Sequence, residues 1–174
     1  MSIYFADEGQ HRAAHVVNYS RLTNNTRRSL TNSASNNEIV TCDFGTFDKK
    51  LSSSTLVFQG FIACWGNNAG AITMNLKVGG TYDSGTLVTS GGVGSGYPIV
   101  HYSYNDNGYY KVMVISGHVT NATGTGSTSV VVGHRTANGS SDRPFMMLNP
   151  NASDDQRIEN SMGGSSLSIW EMNL

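Results

Sequence analysis

The side chains best suited to acid–base chemistry or to binding a metal ion in this 174-residue chain are its five histidines. A zinc site combines such residues with Cys or carboxylate ligands at short spacings, whereas these histidines are dispersed and lack such companions. Serine is abundant, but no Gly-x-Ser-x-Gly elbow presents one as a nucleophile. The histidines are His11, His15, His101, His118 and His134. The sequence therefore predicts no catalytic residue, no metal site and a protein that is not an enzyme.

Three polar loops could hold a ligand, and for each a simpler structural explanation is favoured. The glycine-rich stretch 90–96 lacks the Gly-x-x-x-x-Gly-Lys-Ser/Thr arrangement of a phosphate-binding loop, which indicates a connector. Residues 105–108 begin like a calcium loop, but no glutamate follows at the closing position, so a tight turn is favoured. Asp154 and Asp155 beside Asn151 could bind a cation, although such residues are also common in turns. The sequence therefore predicts no cofactor.

The chain is poor in charge, which bounds its partners and its compartment. Charged residues make up 13% and the formal net charge is -1, without the strongly basic domain and interleaved aromatics typical of a nucleic-acid binder. No signal peptide opens the sequence, and no apolar stretch approaches the ~20 residues that span a bilayer. Cys42 and Cys64 lie in apolar runs, which favours buried free thiols over a disulfide. We expect synthesis in a cytoplasm, no nucleic-acid or membrane partner, and self-association that shields a weakly charged surface.

Hydrophobic periodicity predicts the fold class. From residue 51 onwards, short apolar stretches alternate their side chains with a period of two, and Ser, Thr, Asn and Gly clusters interrupt them. That pattern is typical of an all-β sandwich or barrel. We count eight or nine strands after residue 37 and no helix. The sequence therefore predicts an all-β, jelly-roll-like antiparallel β-sandwich over residues 38–174, preceded by an extended N-terminal arm.

Two local features of these strands lead to further predictions. Strand-like residues 97–104 and 109–120 flank the turn at 105–108, which predicts a β-hairpin because Asn-Gly tolerates the positive φ angles of a tight turn. Gly60 interrupts the long apolar run 53–65, which predicts a bulge or a bend between sheets at that position.

Residues 1–37 have no sustained periodicity and carry a basic bias. Between Gly9 and Asn37 there is no acidic residue, yet four arginines occur. A solvated extension and a docking arm both explain this composition. In a docking arm, guanidinium groups would bind carboxylates of a partner in pairs, and apolar residues such as Tyr4 and Phe5 would anchor the arm. The candidate interface arginines are Arg12, Arg21, Arg27 and Arg28.

A cluster of tyrosines surrounds the predicted hairpin. Because a strand alternates its faces, two or three of these rings must point outward. Contact with a neighbouring subunit, cross-strand support of the hairpin and stacking on a sugar ring all remain open. The candidate interface tyrosines are Tyr102, Tyr104 and Tyr109.

A family resemblance rests on four stretches of the sequence. They are the segment Val-Asn-Tyr-Ser-Arg-Leu-Thr at 17–23, the polar tract that ends at Asn37, the long strand 56–65 and the ending Ser-Ser-Leu-Ser-Ile-Trp-Glu-Met at 165–172. With these features the chain resembles small jelly-roll virion structural proteins of tailed bacteriophages. That group includes capsid decoration or cement proteins and the knobs of tail and head fibres.

The resemblance implies a structural role on the outer surface of a virion, after synthesis in the host cytoplasm. It implies a homotrimer, with the major capsid protein as partner of a decoration protein. The alternative is a fibre knob that binds a host receptor or glycan. Because only about 40 residues precede the expected sandwich, with no shaft, the decoration role is favoured. Deleting residues 1–37 is then expected to abolish particle binding and leave the sandwich folded.

Overall fold

Within the residues that the computed structural model describes, every regular element is a β-strand. The described residues are 2–7, 10–29, 39–67, 70–81, 84–88, 99–103, 109–120, 124–136, 143–149 and 164–173. The strands are β1 (Ser2–Asp7), β2 (Gln10–Asn24), β3 (Arg28–Ser29), β4 (Ile39–Lys49), β5 (Thr55–Asn67), β6 (Gly70–Val78), β7 (Thr86–Leu87), β8 (Ile99–Ser103), β9 (Tyr109–Thr120), β10 (Gly126–Thr136), β11 (Arg143–Leu148) and β12 (Ser165–Asn173).

The first sheet contains seven strands, which the pairings arrange in five rows. β9 pairs with one edge of β5 over residues 55–66, so β12 and β11 must share the other edge, one beyond the end of the other. In the next row β2 pairs with β12 and β3 pairs with β11. β1 pairs with β2 and completes the sheet. The order of rows is β1, β2 with β3, β12 with β11, β5 and β9, and every pairing is antiparallel.

The second sheet contains five strands in four rows. β4 pairs with β10, and β10 pairs with β6. The far edge of β6 is shared by β7, which pairs at residues 77–78, and by β8, which pairs at residues 70–74.

The order of the strands identifies a jelly roll. Its eight principal strands along the chain are β2, β4, β5, β6, β8, β9, β10 and β12. In the first sheet, the order is β2, β12, β5 and β9, which are the first, eighth, third and sixth of these strands. In the second sheet, the order is β4, β10, β6 and β8, which are the second, seventh, fourth and fifth. Two interleaved Greek keys give this order. The predicted all-β, jelly-roll-like antiparallel sandwich is confirmed, and nine described strands follow residue 37.

The hydrophobic core lies between the two sheets. In β12, Leu167 and Ile169 are almost fully buried, whereas Ser168 and Trp170 on the other face are only partly buried. Each fully buried aliphatic or aromatic side chain contributes roughly 1.5–3 kcal/mol. The core residues are Cys42, Phe44, Phe47, Leu56, Phe58, Ile62, Cys64, Leu76, Val78, Val88, Met113, Ile115, Val119, Val130, Val132, Leu148, Leu167 and Ile169. Both cysteines belong to this core as free thiols, as predicted.

Three sequence expectations differ from the structure. The hairpin prediction is wrong, because β8 pairs with β6 in the second sheet and β9 pairs with β5 in the first. The bulge at Gly60 is also wrong, because both pairings of β5 continue through it without a register shift. Residues 10–24, expected in an arm outside the sandwich, form β2 inside the first sheet. The sandwich therefore includes strands that precede residue 38.

Candidate functional site

The solvent side of the first sheet, which we call the outer face, is the best candidate for a functional surface. Residues directly opposite each other on antiparallel strands share a face, so the registers define its rows. One row joins Tyr19, Trp170, Val57 and His118. The next joins Arg21, Ser168, Gln59 and Ser116, the third joins Thr23, Ser166, Phe61 and Val114, and Ala63 lies beside Val112 at the end.

The outer face exposes apolar side chains that a sheet usually buries. Tyr19 is 51% exposed, Val112 is 48% exposed and Val114 is 65% exposed. These values contrast with Met113 and Ile115, which alternate with the valines along β9 and are buried in the core. Val112 and Val114 are outward neighbours on β9, and adjacent exposed apolar residues of this kind can form part of a contact site.

An aromatic pair stands at one side of the outer face. The rings of Tyr19 and Trp170 lie with their centroids 5.6 Å apart at an interplanar angle of 46°. The Tyr19 hydroxyl is 3.3 Å from the Ser168 hydroxyl, which orients the phenol ring. The pair offers a rigid contact area that loses little side-chain entropy on binding.

The charge on the outer face is one-sided. Arg21 is exposed there, and its Nε donates a hydrogen bond to Ser166 Oγ at 3.0 Å. Glu171 is the one acidic residue in the described parts of β2, β5, β9 and β12, and it points inward and is buried. The electrostatics of this face therefore favour a neutral or acidic partner surface.

A second feature is the edge of β4, whose carbonyl groups accept hydrogen bonds from side chains of residues 18–28. Asn18 Nδ2 donates to the Asp48 carbonyl at 2.7 Å, and Asn24 Nδ2 donates to the Asp43 carbonyl at 2.7 Å. Arg28 Nη2 donates to the carbonyls of Val40 and Thr41 at 2.7 and 2.8 Å. These bonds join the two sheets along one side of the sandwich and cap backbone acceptors at the edge.

The predicted arginines lie in different places. Arg12 is opposite Phe5 in the pairing of β1 with β2, Arg21 lies on the outer face, and Arg28 caps the edge of β4. Arg27 is exposed between β2 and β3. The structure does not bring the four together as one patch, and their role in docking stays a prediction.

The predicted aromatic residues are also separated. Tyr4 and Phe5 lie in β1, Tyr102 lies in β8 of the second sheet, and Tyr109 begins β9 of the first sheet. Tyr104 lies outside the described residues. Because Tyr102 and Tyr109 belong to different sheets, they do not form the cross-strand pair that a hairpin would give, and their contact role stays a prediction.

Sequence reasoning missed the exposed valines of β9 and the pair formed by Tyr19 and Trp170. The run Val-Met-Val-Ile at 112–115 is apolar on both faces of a strand. That departure from alternation is the signal that could have identified them, because a strand with one wet face should alternate with polar residues.

Burial shifts the pKa values of two titratable residues in the core. Burial raises the pKa of the Cys42 thiol to about 12, which keeps it protonated and unreactive. His134 is 1% exposed, its Nδ1 lies 2.6 Å from the Thr41 hydroxyl, and burial lowers its pKa to about 4. In the described part of the chain, no three His, Cys, Asp or Glu residues are grouped so that they could hold a metal ion. The described residues also contain no helical segment with the length and apolarity to cross a membrane.

No protein-family model matches this chain, and no curated protein matches it. Among solved structures, the T13 particle of infectious bursal disease virus has a chain with a TM-score of 0.49 and 10% identity, covering 94% of this chain and 34% of that one. The Gt strain of the same virus gives 0.48 and 11%, covering 95% and 36%. Its VP2 subviral particle gives 0.43 and 11%, covering 94% and 35%. This chain thus spans about a third of the length of those chains, and the jelly-roll assignment rests on the strand order described above.

Proposed function

We propose that this protein is a structural component of a virus particle, and more narrowly a decoration or cement protein on the outside of a tailed-bacteriophage capsid. The observation that carries the proposal is the outer face, where Tyr19, Val112 and Val114 are exposed on a sheet. Adjacent exposed apolar residues, as Val112 and Val114 are, support a contact with another protein. The jelly roll alone does not define a role, because capsid domains, lectins and cupins share it.

The composition supports a protein that functions in contact with others. Only 13% of its residues are charged, so hydroxyl and amide groups dominate the polar surface. Interfaces are depleted of charge at their centre and enriched in Tyr, Trp and Arg. The outer face has that composition, with the ring pair of Tyr19 and Trp170 beside Arg21.

The partner of this face on a shell is the major capsid protein. The matching patch would be apolar where it receives the two rings. A carboxylate at its rim would meet the exposed guanidinium of Arg21, because Arg binds carboxylates in a bidentate geometry. The predicted contacts of Arg12, Arg27 and Arg28 would add to the rim, where single charges contribute little energy and mainly set orientation.

The test is reconstitution on particles assembled without this protein. The purified full chain is added to such particles, which are then sedimented, and bound protein is measured against added protein. We expect saturable binding that the double change Tyr19→Ala and Trp170→Ala weakens at least about tenfold, since buried aromatic residues carry much of the energy of an interface. Ser127→Ala, an exposed position on β10 of the second sheet, is the matched control and should bind normally. Far-UV circular dichroism verifies that each variant is folded.

Immunogold electron microscopy of complete particles separates the two virion roles. Label over the shell supports decoration. Label confined to fibre tips, together with saturable binding to host cells, would replace the decoration role with the fibre knob. Complete particles that contain none of the protein would overturn the virion role altogether.

A further inference from the structure

The open edges of the two sheets are protected unequally. An edge strand exposes unpaired N–H and C=O groups, and soluble proteins usually block such edges with bulges, charges or covering segments. β4 has two register shifts against β10, and Asn18, Asn24 and Arg28 cap its carbonyls. At the other end of the first sheet the edge strand is β1, which has only six residues and ends in Asp7, and short edge strands are a further protective device.

β9 has none of these devices among the described residues. Its twelve residues pair with β5 in one unbroken register, from Tyr109 opposite Gly66 to Thr120 opposite Thr55. No described strand pairs with its other edge. Lys111 is the one Lys, Arg, Asp or Glu in its sequence. A long, regular edge with few charges is a template for another strand.

The outward side chains of β9 fit the same conclusion. Val114 is 65% exposed, the highest value among the exposed large hydrophobic residues in the described part of the chain. Val112, two residues earlier on the same face of β9, is 48% exposed. Both lie on β9, the edge strand of the sheet, where a strand added to that edge would cover them.

We infer that β9 pairs edge to edge with β9 of a second copy of this chain, in antiparallel orientation about a two-fold axis perpendicular to the sheet. The contact joins the two first sheets into one continuous sheet. It rests on the regular edge of β9 and on the exposure of Val112 and Val114, and it does not depend on the virion role.

A second copy is the occupant that this edge suits best. Rotation about the axis keeps the outer face of both copies on the same side, so each outward residue opposes another outward residue and Met113 and Ile115 remain inward in both. A register centred at Ile115 places the two Lys111 residues more than about 25 Å apart, given a rise of roughly 3.4 Å per residue, and makes the two Val114 residues diagonal neighbours. The contact therefore contains no like-charge repulsion between lysines, and it is isologous and closes at two subunits.

The test is the solution mass of the full chain, measured by sedimentation equilibrium over a range of concentrations. We expect a monomer–dimer equilibrium. Val114→Lys and Val114→Glu should each weaken dimerisation at least about tenfold, because either change places two like charges, one from each copy, diagonally across the two-fold axis. An equimolar mixture of the two variants should dimerise again, because the two charges in the mixed dimer attract each other.

Gln59→Lys is the matched control, because Gln59 is exposed on the same face but lies on β5, one strand in from the edge. Its dimerisation should equal that of the unmodified chain. Dimerisation lost in Gln59→Lys and retained in Val114→Lys would overturn edge pairing in favour of face-to-face packing. A monomer at all concentrations, or the homotrimer that the bacteriophage resemblance implies, would also overturn it. These outcomes leave the particle-binding experiment unaffected, so the two proposals fail separately.

Discussion

The carboxylate of Glu171 accepts a hydrogen bond from the hydroxyl of Ser54 at 2.8 Å, although 117 positions separate the two residues. The same carboxylate receives the backbone N–H of Lys50, at 3.0 and 2.9 Å to its two oxygens, and that of Leu51 at 2.7 Å. Burial alone would raise the pKa of Glu171, but these bonds and the nearby Lys49 ammonium lower it below its usual value. The charged side chain thus holds the turn between β4 and β5 against β12.

Replacing this carboxylate should be costly. We expect Glu171→Leu to lower the free energy of unfolding by about 3–5 kcal/mol, because two N–H groups and a hydroxyl lose a buried acceptor and the Lys49 ammonium loses a nearby negative charge. Glu171→Gln keeps one acceptor oxygen and should cost about 1–3 kcal/mol. Urea denaturation measures both.

Lys50→Ala is the control for that series, since it retains the backbone N–H that binds Glu171. Its side chain makes an ion pair with Asp48 in which both partners are well exposed, and such pairs contribute little. A change larger than about 1 kcal/mol in Lys50→Ala would contradict this assignment of the energy to the backbone N–H.

His134 should make the protein sensitive to mild acid. Burial, and then the positive charge of Arg28, lower its pKa from 6.5 to about 4 in the folded state. Between these values the unfolded chain binds a proton that the folded protein does not, so the stability present above pH 6.5 falls as the pH drops. The loss should reach about 3 kcal/mol by pH 4.

The variant His134→Asn isolates this contribution, because its amide can still face the Thr41 hydroxyl that lies 2.6 Å from Nδ1. We expect lower stability at pH 7 but a flatter dependence between pH 6.5 and 4.5, measured by urea denaturation at each pH. Glu171 acts in a lower window, since its contribution is present above its ordinary pKa of 4.5 and is lost as the pH falls through its lowered folded value. An unchanged slope in His134→Asn would refute the role of this histidine.

The fold class could be predicted because the strands after residue 37 have one wet face and one buried face. In β6, Leu76 and Val78 are buried and Lys77 between them is not, which gives the alternation directly. β2 lacks this signal, because Asn18 and Asn24 point inward and donate to carbonyls of β4. Polar residues with satisfied hydrogen bonds can occupy inward positions, and they hide a strand from hydrophobic periodicity.

The path of the chain between sheets could not be predicted from local turn signals. The Asn-Gly pair at 107–108 favours a tight turn, but β9 finds its partner in β5, about fifty positions earlier. Long-range packing of the core decides that choice. For the same reason the outer face could not be assembled from sequence, because its rows combine strands from both ends of the chain.

Gly60 provides a test of close packing between β5 and β12. A Cβ at this position would lie 2.2 Å from the Ser166 carbonyl oxygen and 2.8 Å from Leu167 Cα, both of which are backbone atoms. We expect Gly60→Ala to destabilise the protein by about 3 kcal/mol or more, because a backbone contact cannot relax by changing a rotamer. Gly124→Ala, where a Cβ meets nothing within 4 Å, should remain within about 0.5 kcal/mol of the unmodified chain. Equal thermal midpoints for the two variants would contradict the packing argument.

Deletion of residues 1–37 should unfold the sandwich, contrary to the expectation from sequence. β12 would lose its pairing with β2 from Asn24 to His15, and the buried Asn149 side chain would lose three acceptors, on Asn24 and Thr26, at 2.7 to 3.1 Å. We expect the truncated chain to show no cooperative thermal transition. The full chain with Arg21→Ala and Arg27→Ala should unfold cooperatively near the midpoint of the unmodified protein, because both side chains are exposed. A truncated chain that is stable and unfolds cooperatively would show that β2 is dispensable. If the truncated chain is unfolded, particle binding by residues 1–37 must be tested with substitutions and not with deletions.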